Sequence, residues 1–189
     1  MGRSSSRTAP VNFRLTRLVY LFQPTSIMLQ RVQSLFLLGV AICMGLMLIT
    51  DIWEESLPQG NQKLELDAYM LSATPLEPTG GGVTQVMYNT WVIAVLAVLS
   101  AIIAFYEIFR YNNRLTQLKL GFLNVLLMIG VLGCTIFFVF QGEEISANAT
   151  QGDFEAGIYL PGLALILNLL ANRFIRRDEQ LVRSVDRLR

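Results

Sequence analysis

Few residues of this 189-residue chain combine a reactive side chain with a position inside an apolar run. They are Glu107, Asn124 and Asn168, together with the cysteines Cys43 and Cys134. The cysteines are not spaced as a CxxC pair, which argues against a redox motif or a Cys-based metal site. Because the sequence contains no histidine, the usual zinc sites, histidine haem ligation and His-based acid–base mechanisms are excluded. We therefore expect no catalytic residue, no metal and no cofactor, and a protein that is not an enzyme.

The one carboxylate within an apolar run is Glu107, which lies close to the end of that run. Arg110 follows three residues later, an i,i+3 neighbour on a helix. This spacing predicts an ion pair between Glu107 and Arg110 at the membrane interface. The alternative is a functional role, because an ionisable group inside a membrane helix is costly to bury.

The two asparagines lie in consecutive apolar runs, each six or seven residues from the same end of the bundle. With a helical rise of about 1.5 Å per residue, both side chains reach a similar depth. We therefore predict an interhelical polar contact between Asn124 and Asn168, worth about 0.6–2 kcal/mol in a bilayer. A contact with a ligand or a transported solute is the alternative.

The elements that position these groups are four long apolar blocks. The chain is 53% hydrophobic and 15% charged, with a mean hydropathy of +0.48, which places it outside the usual soluble range. Each block is long enough to cross a bilayer. The fold class predicted is all-α: a bundle of four transmembrane helices within residues 28–175, with spans at about 34–52, 90–109, 120–140 and 156–175.

The segments between the spans are predicted to lie outside the cytoplasm at residues 53–89 and 141–155. Within the first loop, residues 63–74 and 83–88 carry β-prone patterns that could pair as a short β-hairpin; an unstructured loop is the alternative. Trp53 is expected to anchor its span at the membrane interface. Residues 1–27 are predicted to be a weakly ordered N-terminal extension, and Met28 is an alternative translation start.

The direction of the spans follows from the distribution of charge. Fourteen of the fifteen Lys and Arg residues precede the first span, lie between spans two and three, or lie in the last turn of span four or beyond it. Basic residues near span ends are retained in the cytoplasm. We therefore predict that both termini are cytoplasmic and that the protein is a multi-pass protein of the inner membrane.

The C-terminal segment, residues 176–189, is predicted to form a basic amphipathic helix. Its arginines are candidate contacts with a partner or with lipid: Arg176, Arg177, Arg183 and Arg187. Such a helix can lie on an anionic leaflet or dock onto another protein. A nucleic-acid partner is not expected, because acidic residues interrupt the basic run.

Two stretches resemble a known family. MLQRVQSLFLLG (residues 28–39) and ANRFIRRDEQLVRSVDRLR (residues 171–189) are similar to the N- and C-terminal signatures of a bacterial family of uncharacterised integral membrane proteins, domain of unknown function 4293. The resemblance covers residues 28–189 and implies four spans, a larger loop between spans one and two, and a bacterial inner membrane. It implies no activity.

The first functional hypothesis is a non-catalytic accessory or scaffold subunit of a membrane complex. Its partners would be the lipid bilayer and either another membrane protein or further copies of the chain. The alternative is a small transporter or channel whose pathway is lined by Asn124, Asn168 and Glu107.

Overall fold

The computed structural model describes residues 24–57, 62–76, 83–110, 113–146 and 152–186, excepting the side chains of residues 24–31, 114 and 181–186. These residues form four helices: α1 (Pro24–Leu46), α2 (Trp91–Phe109), α3 (Arg114–Ser146) and α4 (Ala156–Asp186). By length and composition, α2, α3 and α4 contain segments able to cross a membrane, whereas the described apolar part of α1, Val32–Leu46, is shorter. Most of the predicted N-terminal extension, residues 1–23, lies outside the described residues.

The helices form a four-membered ring in which each packs against its two neighbours. α1 and α3 both contact α2 and α4. The antiparallel pairing of α1 with α4 is visible in the rings of Phe36 and Phe174, which stack with their centroids 5.6 Å apart. Val40, Met44 and Met128 are wholly buried in the centre. Close packing of this kind, rather than the hydrophobic effect, is what holds helices together in a bilayer, where lipid tails are as apolar as these side chains.

The helix ends differ from the predicted span boundaries. α1 ends at Leu46, where Ile49 N–H donates to its carbonyl at 3.0 Å and the Thr50 hydroxyl donates to the same oxygen at 3.1 Å. The predicted first span, residues 34–52, therefore includes a turn. α3 is longer than the predicted residues 120–140 at both ends, and α4 continues without interruption into the predicted tail.

A five-stranded antiparallel sheet, here called the cap, lies at one end of the bundle. Its strands are β1 (Trp53–Leu57), β2 (Gln62–Leu66), β3 (Met70–Pro75), β4 (Gln85–Asn89) and β5 (Asp153–Phe154). They are arranged in the order β4-β3-β2-β1-β5. The cap thus extends the predicted hairpin to five strands, and β5 joins it from the second loop, about 100 residues after β1.

Local chemistry explains the hairpin between β2 and β3. The carboxylate of Asp67 accepts the backbone N–H groups of Tyr69 and Met70 at 2.6 and 2.8 Å, an Asx turn that reverses the chain. In β2 alternate residues are buried, as the period of two requires, and Leu64 and Leu66 face the core, whereas in β3 the consecutive residues 71–73 are all buried. The alternation places the apolar face of the cap against the bundle.

Trp53 connects the cap to the bundle. Its side chain is wholly buried rather than lying at the membrane interface, so the prediction of an interfacial anchor is wrong. The indole packs against Gly142 of α3 and against Gly152, where an added Cβ would lie 2.6 Å from ring atoms. Since Trp53 begins β1, the pleat of the strand directs its side chain into the core instead of toward the lipid.

Backbone hydrogen bonds also join the cap to the helices. The Thr90 hydroxyl donates to the carbonyl of Asp67 at 3.1 Å, and Ala94 N–H in the first turn of α2 donates to Ala68 at 3.2 Å. At the start of α4, Gly157 N–H donates to Asp51 at 2.9 Å. The bonds from Ala94 and Gly157 satisfy N–H groups in the first turn of a helix, which have no partner within their own helices.

Candidate functional site

Buried polar side chains run along the interior of the bundle from the end opposite the cap. We call this row the polar seam: Ser100, Glu107, Gln117, Asn124 and Asn168. All five are at most 1% exposed. On both α2 and α3 the seam residues lie seven positions apart, which is two helical turns or about 10 Å along the axis. The seam therefore reaches from the end of α2 to about its middle.

Asn124 is bonded to α2. The Ser100 hydroxyl donates to Asn124 Oδ1 at 2.5 Å, and both side chains are wholly buried. Asn168 is bonded to the backbone of α3, because its Nδ2 donates to the carbonyl of Gly121 at 2.9 Å. Both asparagines thus make interhelical hydrogen bonds, but with Ser100 and Gly121 in place of the predicted bond to each other.

The absent side chain of Gly121 explains why α4 comes so close at this point. A Cβ at position 121 would lie 2.8 Å from the side-chain carbon of Asn172, which is within overlap distance. The close approach brings the Gly121 carbonyl within reach of Asn168. A carbonyl oxygen has a second lone pair available beyond its helical bond.

Glu107 lies inside the bundle, and its predicted ion pair with Arg110 is not formed. Its side chain is wholly buried, and neither carboxylate oxygen has a hydrogen-bond partner among the described residues. Arg110 is exposed and lies over the ring of Tyr106, 5.9 Å from its centroid. Position 107 is two turns from Ser100 and so shares its inward face, which directs the carboxylate away from Arg110.

The backbone of Glu107 is bonded to α3. Gln117 Nε2 donates to the Glu107 carbonyl at 3.4 Å. Beyond the carboxylate, Asn124 Nδ2 and Asn168 Oδ1 also lack partners among the described residues. Unsatisfied polar atoms are costly in a low-dielectric interior, so the seam is a candidate functional site.

Between the seam and the cap, the interior of the bundle is lined mainly by apolar side chains. Ala97, Val131 and Met44 are wholly buried there. Thr135 is also wholly buried in this half, and its hydroxyl has no partner among the described residues. The seam thus ends in packed, largely apolar side chains.

The predicted tail contacts are partly described. Arg176 and Arg177 are exposed on α4, and with Arg173, which sequence reasoning missed, they line a cleft between α3 and α4. The side chain of Arg183 and residue Arg187 lie outside the described residues. The same helix that supplies Asn168 to the seam therefore supplies these arginines to the surface.

The outer face of the cap carries paired charges. Lys63 contacts the carboxylates of Glu54 and Glu65, the latter at 3.2 Å. The hydrogen bond to Glu54 is the main cause that raises the pKa of Lys63 above its ordinary value of 10.5. Glu54 and Glu65 are opposite each other in the register of β1 and β2, so Lys63 offsets a repulsion between like charges.

One edge of the cap is open. All five residues of β4 are exposed, including Val86, Met87 and Tyr88 at 57%, 40% and 42%. β4 pairs with β3 on one side, and a register shift at Leu71/Ser72 leaves Met87 outside the regular pairing. The opposite edge, β5, is two residues long. β4 is therefore the long accessible edge.

Sequence reasoning missed Ser100, Gln117 and the open edge of the cap, although it predicted residues 83–88, which overlap β4, to be β-prone. The usable signal for the first two was spacing: Ser100 precedes Glu107 by seven residues, and Gln117 precedes Asn124 by seven. Cys43 and Cys134 are free thiols. Within the described ranges no three His, Cys, Asp or Glu side chains are grouped as metal ligands would be.

The chain was compared with known proteins. A comparison with curated proteins gives no match. The family model described as domain of unknown function (DUF4293) matches residues 29–188, which is most of the chain and includes both terminal signatures. The chain belongs to the DUF4293 family.

Proposed function

We propose that the protein crosses the inner membrane of a bacterium four times, with both termini in the cytoplasm and the cap outside. The 23 residues of α1 correspond to about 35 Å of helix, enough for a span beside the three others. The arginine-rich ends of the chain support this direction. The acidic surface of the cap suits the side from which basic residues are depleted.

Within this topology, the protein acts as a non-catalytic accessory or scaffold subunit. The observation that carries this function is the open edge strand β4. Natural proteins usually shorten, charge or cover such edges, because unpaired backbone groups recruit another strand. β4 is five residues long, and its exposed side chains include Val86, Met87 and Tyr88. A partner that adds a strand here would satisfy the backbone and cover these apolar side chains.

The test is affinity purification in mild detergent, comparing Val86→Lys with the unchanged chain. A lysine on an edge strand opposes strand addition. We expect a stoichiometric partner to be lost from Val86→Lys. Phe154→Lys is the matched control, because Phe154 is 42% exposed on the opposite edge. Retention of the partner by Val86→Lys, or equal loss from both variants, argues against docking at β4.

The tail offers a second contact surface, which the same experiment can examine. Truncation at Ile175 would remove part of a continuous helix and the buried side chain of Asp178. The variant Arg176→Gln/Arg177→Gln alters exposed charge alone and is therefore preferable. Loss of the partner from this variant but not from Val86→Lys would indicate that the partner docks at the tail and not at β4.

The polar seam favours a second candidate, a small transporter or channel. The unpartnered carboxylate of Glu107 could bind a cation or a polar solute between the helices. This candidate ranks second because packed, largely apolar side chains lie between the seam and the cap. Flux into proteoliposomes that is abolished by Glu107→Gln and Asn124→Leu would reverse the ranking. Equal flux in both variants and in protein-free vesicles would eliminate it.

A further inference from the structure

The cleft between α3 and α4 combines an apolar floor with a cationic rim. It has a volume of about 730 Å³. Phe122 and Val125 of α3 and Leu169 of α4 line its deeper part, and Phe122 and Leu169 are 62% and 50% exposed. Arg173, Arg176 and Arg177 line the part nearer the end of α4. We propose that this cleft, here called the arginine cleft, binds one phospholipid with an anionic phosphodiester headgroup.

Helical spacing places the three arginines together. They follow one another at i, i+3 and i+4, so they share one face of α4. All three are exposed, and none takes part in the ion pairs recorded for the described residues. The nearby carboxylates of Asp178 and Glu179 do not line the cleft. The rim therefore carries positive charge that a phosphate group can neutralise.

The apolar floor of the cleft offers a binding surface for an acyl chain of the lipid. Because α3 and α4 are antiparallel, Val125 and Leu169 both lie farther along the helices from the C-terminal end of α4 than the arginines do. A headgroup bound to the arginines would direct an acyl chain along these side chains. A basic pocket between transmembrane helices near the cytoplasmic surface is a recognised location for anionic lipid headgroups. Free phosphate would leave the apolar floor uncovered.

The test counts bound lipids by native mass spectrometry on full-length protein in detergent, titrated with phosphatidylglycerol or phosphatidylcholine. We expect one phosphatidylglycerol to bind preferentially. The triple variant Arg173→Gln/Arg176→Gln/Arg177→Gln should weaken that binding by about 100-fold. Lys119→Gln is the matched control, because Lys119 is exposed near the same end of α3 and does not line the cleft.

A second variant examines the floor. Leu169→Trp should block the acyl chain and reduce phosphatidylglycerol binding while leaving every arginine in place. Unchanged binding in the triple variant, or an equal loss in Lys119→Gln, would overturn the arginine cleft as the site. Displacement of the lipid by inorganic phosphate at millimolar concentration would show an anion site and also overturn the proposal. The result is independent of partner capture, so the two proposals can fail separately.

Discussion

The cap and the polar seam differ in how their polar groups are paired. In the cap, strand pairing satisfies the backbone and Lys63 neutralises two opposed glutamates. In the seam, single hydrogen bonds connect neighbouring helices, and the carboxylate of Glu107 has no partner among the described residues. The cap therefore depends mainly on strand pairing and packing, although the indole N–H of Trp53 has no partner among the described residues. The seam instead gathers an unpartnered carboxylate and unpartnered amide atoms in one row inside the bundle.

This contrast indicates where changes should be costly. When a core is built on one large aromatic residue, truncating that residue greatly lowers the free energy of unfolding. Interhelical hydrogen bonds in a bilayer contribute little each, because polar groups find other partners when the helices separate. Substitutions in the core of the cap should therefore destabilise the protein more than substitutions in the seam.

The largest effect is expected from Trp53→Ala. The indole is wholly buried between Gly142 and Gly152, and its loss should lower the free energy of unfolding by about 3–5 kcal/mol. Trp91→Ala is the control, since Trp91 is 58% exposed at the start of α2. Unfolding in mixed micelles with increasing denaturing detergent measures both. Equal losses in the two variants would contradict a stabilising role for the buried indole of Trp53.

Gly142→Ala examines the same contact from the helix side. The added methyl would lie 2.6 Å from the Trp53 ring, and this overpacking should cost about 1–3 kcal/mol. Gly133→Ala is matched to it on the same helix, and no atom lies within 4 Å of the Cβ that it adds. Gly133→Ala should be neutral or slightly stabilising in the same assay. A destabilised Gly133→Ala with an unaffected Gly142→Ala would contradict the packing of Trp53.

In the seam, the hydrogen bond from Ser100 to Asn124 should have a small coupling energy. A double-mutant cycle with Ser100→Ala and Asn124→Leu is expected to give a coupling energy of about 0.6 kcal/mol, with an upper limit of about 2 kcal/mol. The control cycle pairs Ser100→Ala with Asn168→Leu. It should give no coupling energy, because the native Asn168 bonds to Gly121 and not to Ser100. Coupling above that range would place the seam among the main stabilising elements and remove the contrast.

The smallest effect is expected at the surface of the cap. Lys63→Met should lower the free energy of unfolding by about 0.2–1 kcal/mol at pH 8, because two acidic partners lose their cation. The pKa of Lys63 is raised in the folded state. Its contribution is therefore complete below pH 10.5 and is lost as the pH rises through the raised pKa. Denaturation should show a difference in the free energy of unfolding between Lys63→Met and the parent at pH 8, and this difference should disappear at high pH.

The sequence predicted the long apolar helices better than the cap. Three helices follow from runs of apolar residues, a local property that hydropathy captures. The cap depends on pairing between β1 and β5, which are far apart in the chain, and on the inward orientation of Trp53. Neither can be read from a local pattern. The prediction for Trp53 failed because aromatic residues near span ends occupy either interfaces or cores.

The seam was predicted in part. An interhelical contact for the two asparagines was predicted from their similar depth, but their bonding partners depend on helix rotation. Gly121 contributes only a backbone carbonyl, and the spacing that points to Ser100 does not identify it as the partner of Asn124. Spacing to Arg110 suggested an ion pair for Glu107, whereas the face shared with Ser100 decides its direction. Periodicity relative to other polar residues was the better guide.

The central claim, that an open edge of the cap docks a partner, is tested most directly by photo-crosslinking in intact membranes. A photoreactive amino acid would replace Val86 on β4 or Phe154 on β5, the two edges of one sheet. The account predicts one discrete adduct from position 86 and none of the same mass from position 154. No protein adduct from position 86, or the same adduct from both edges, would contradict it.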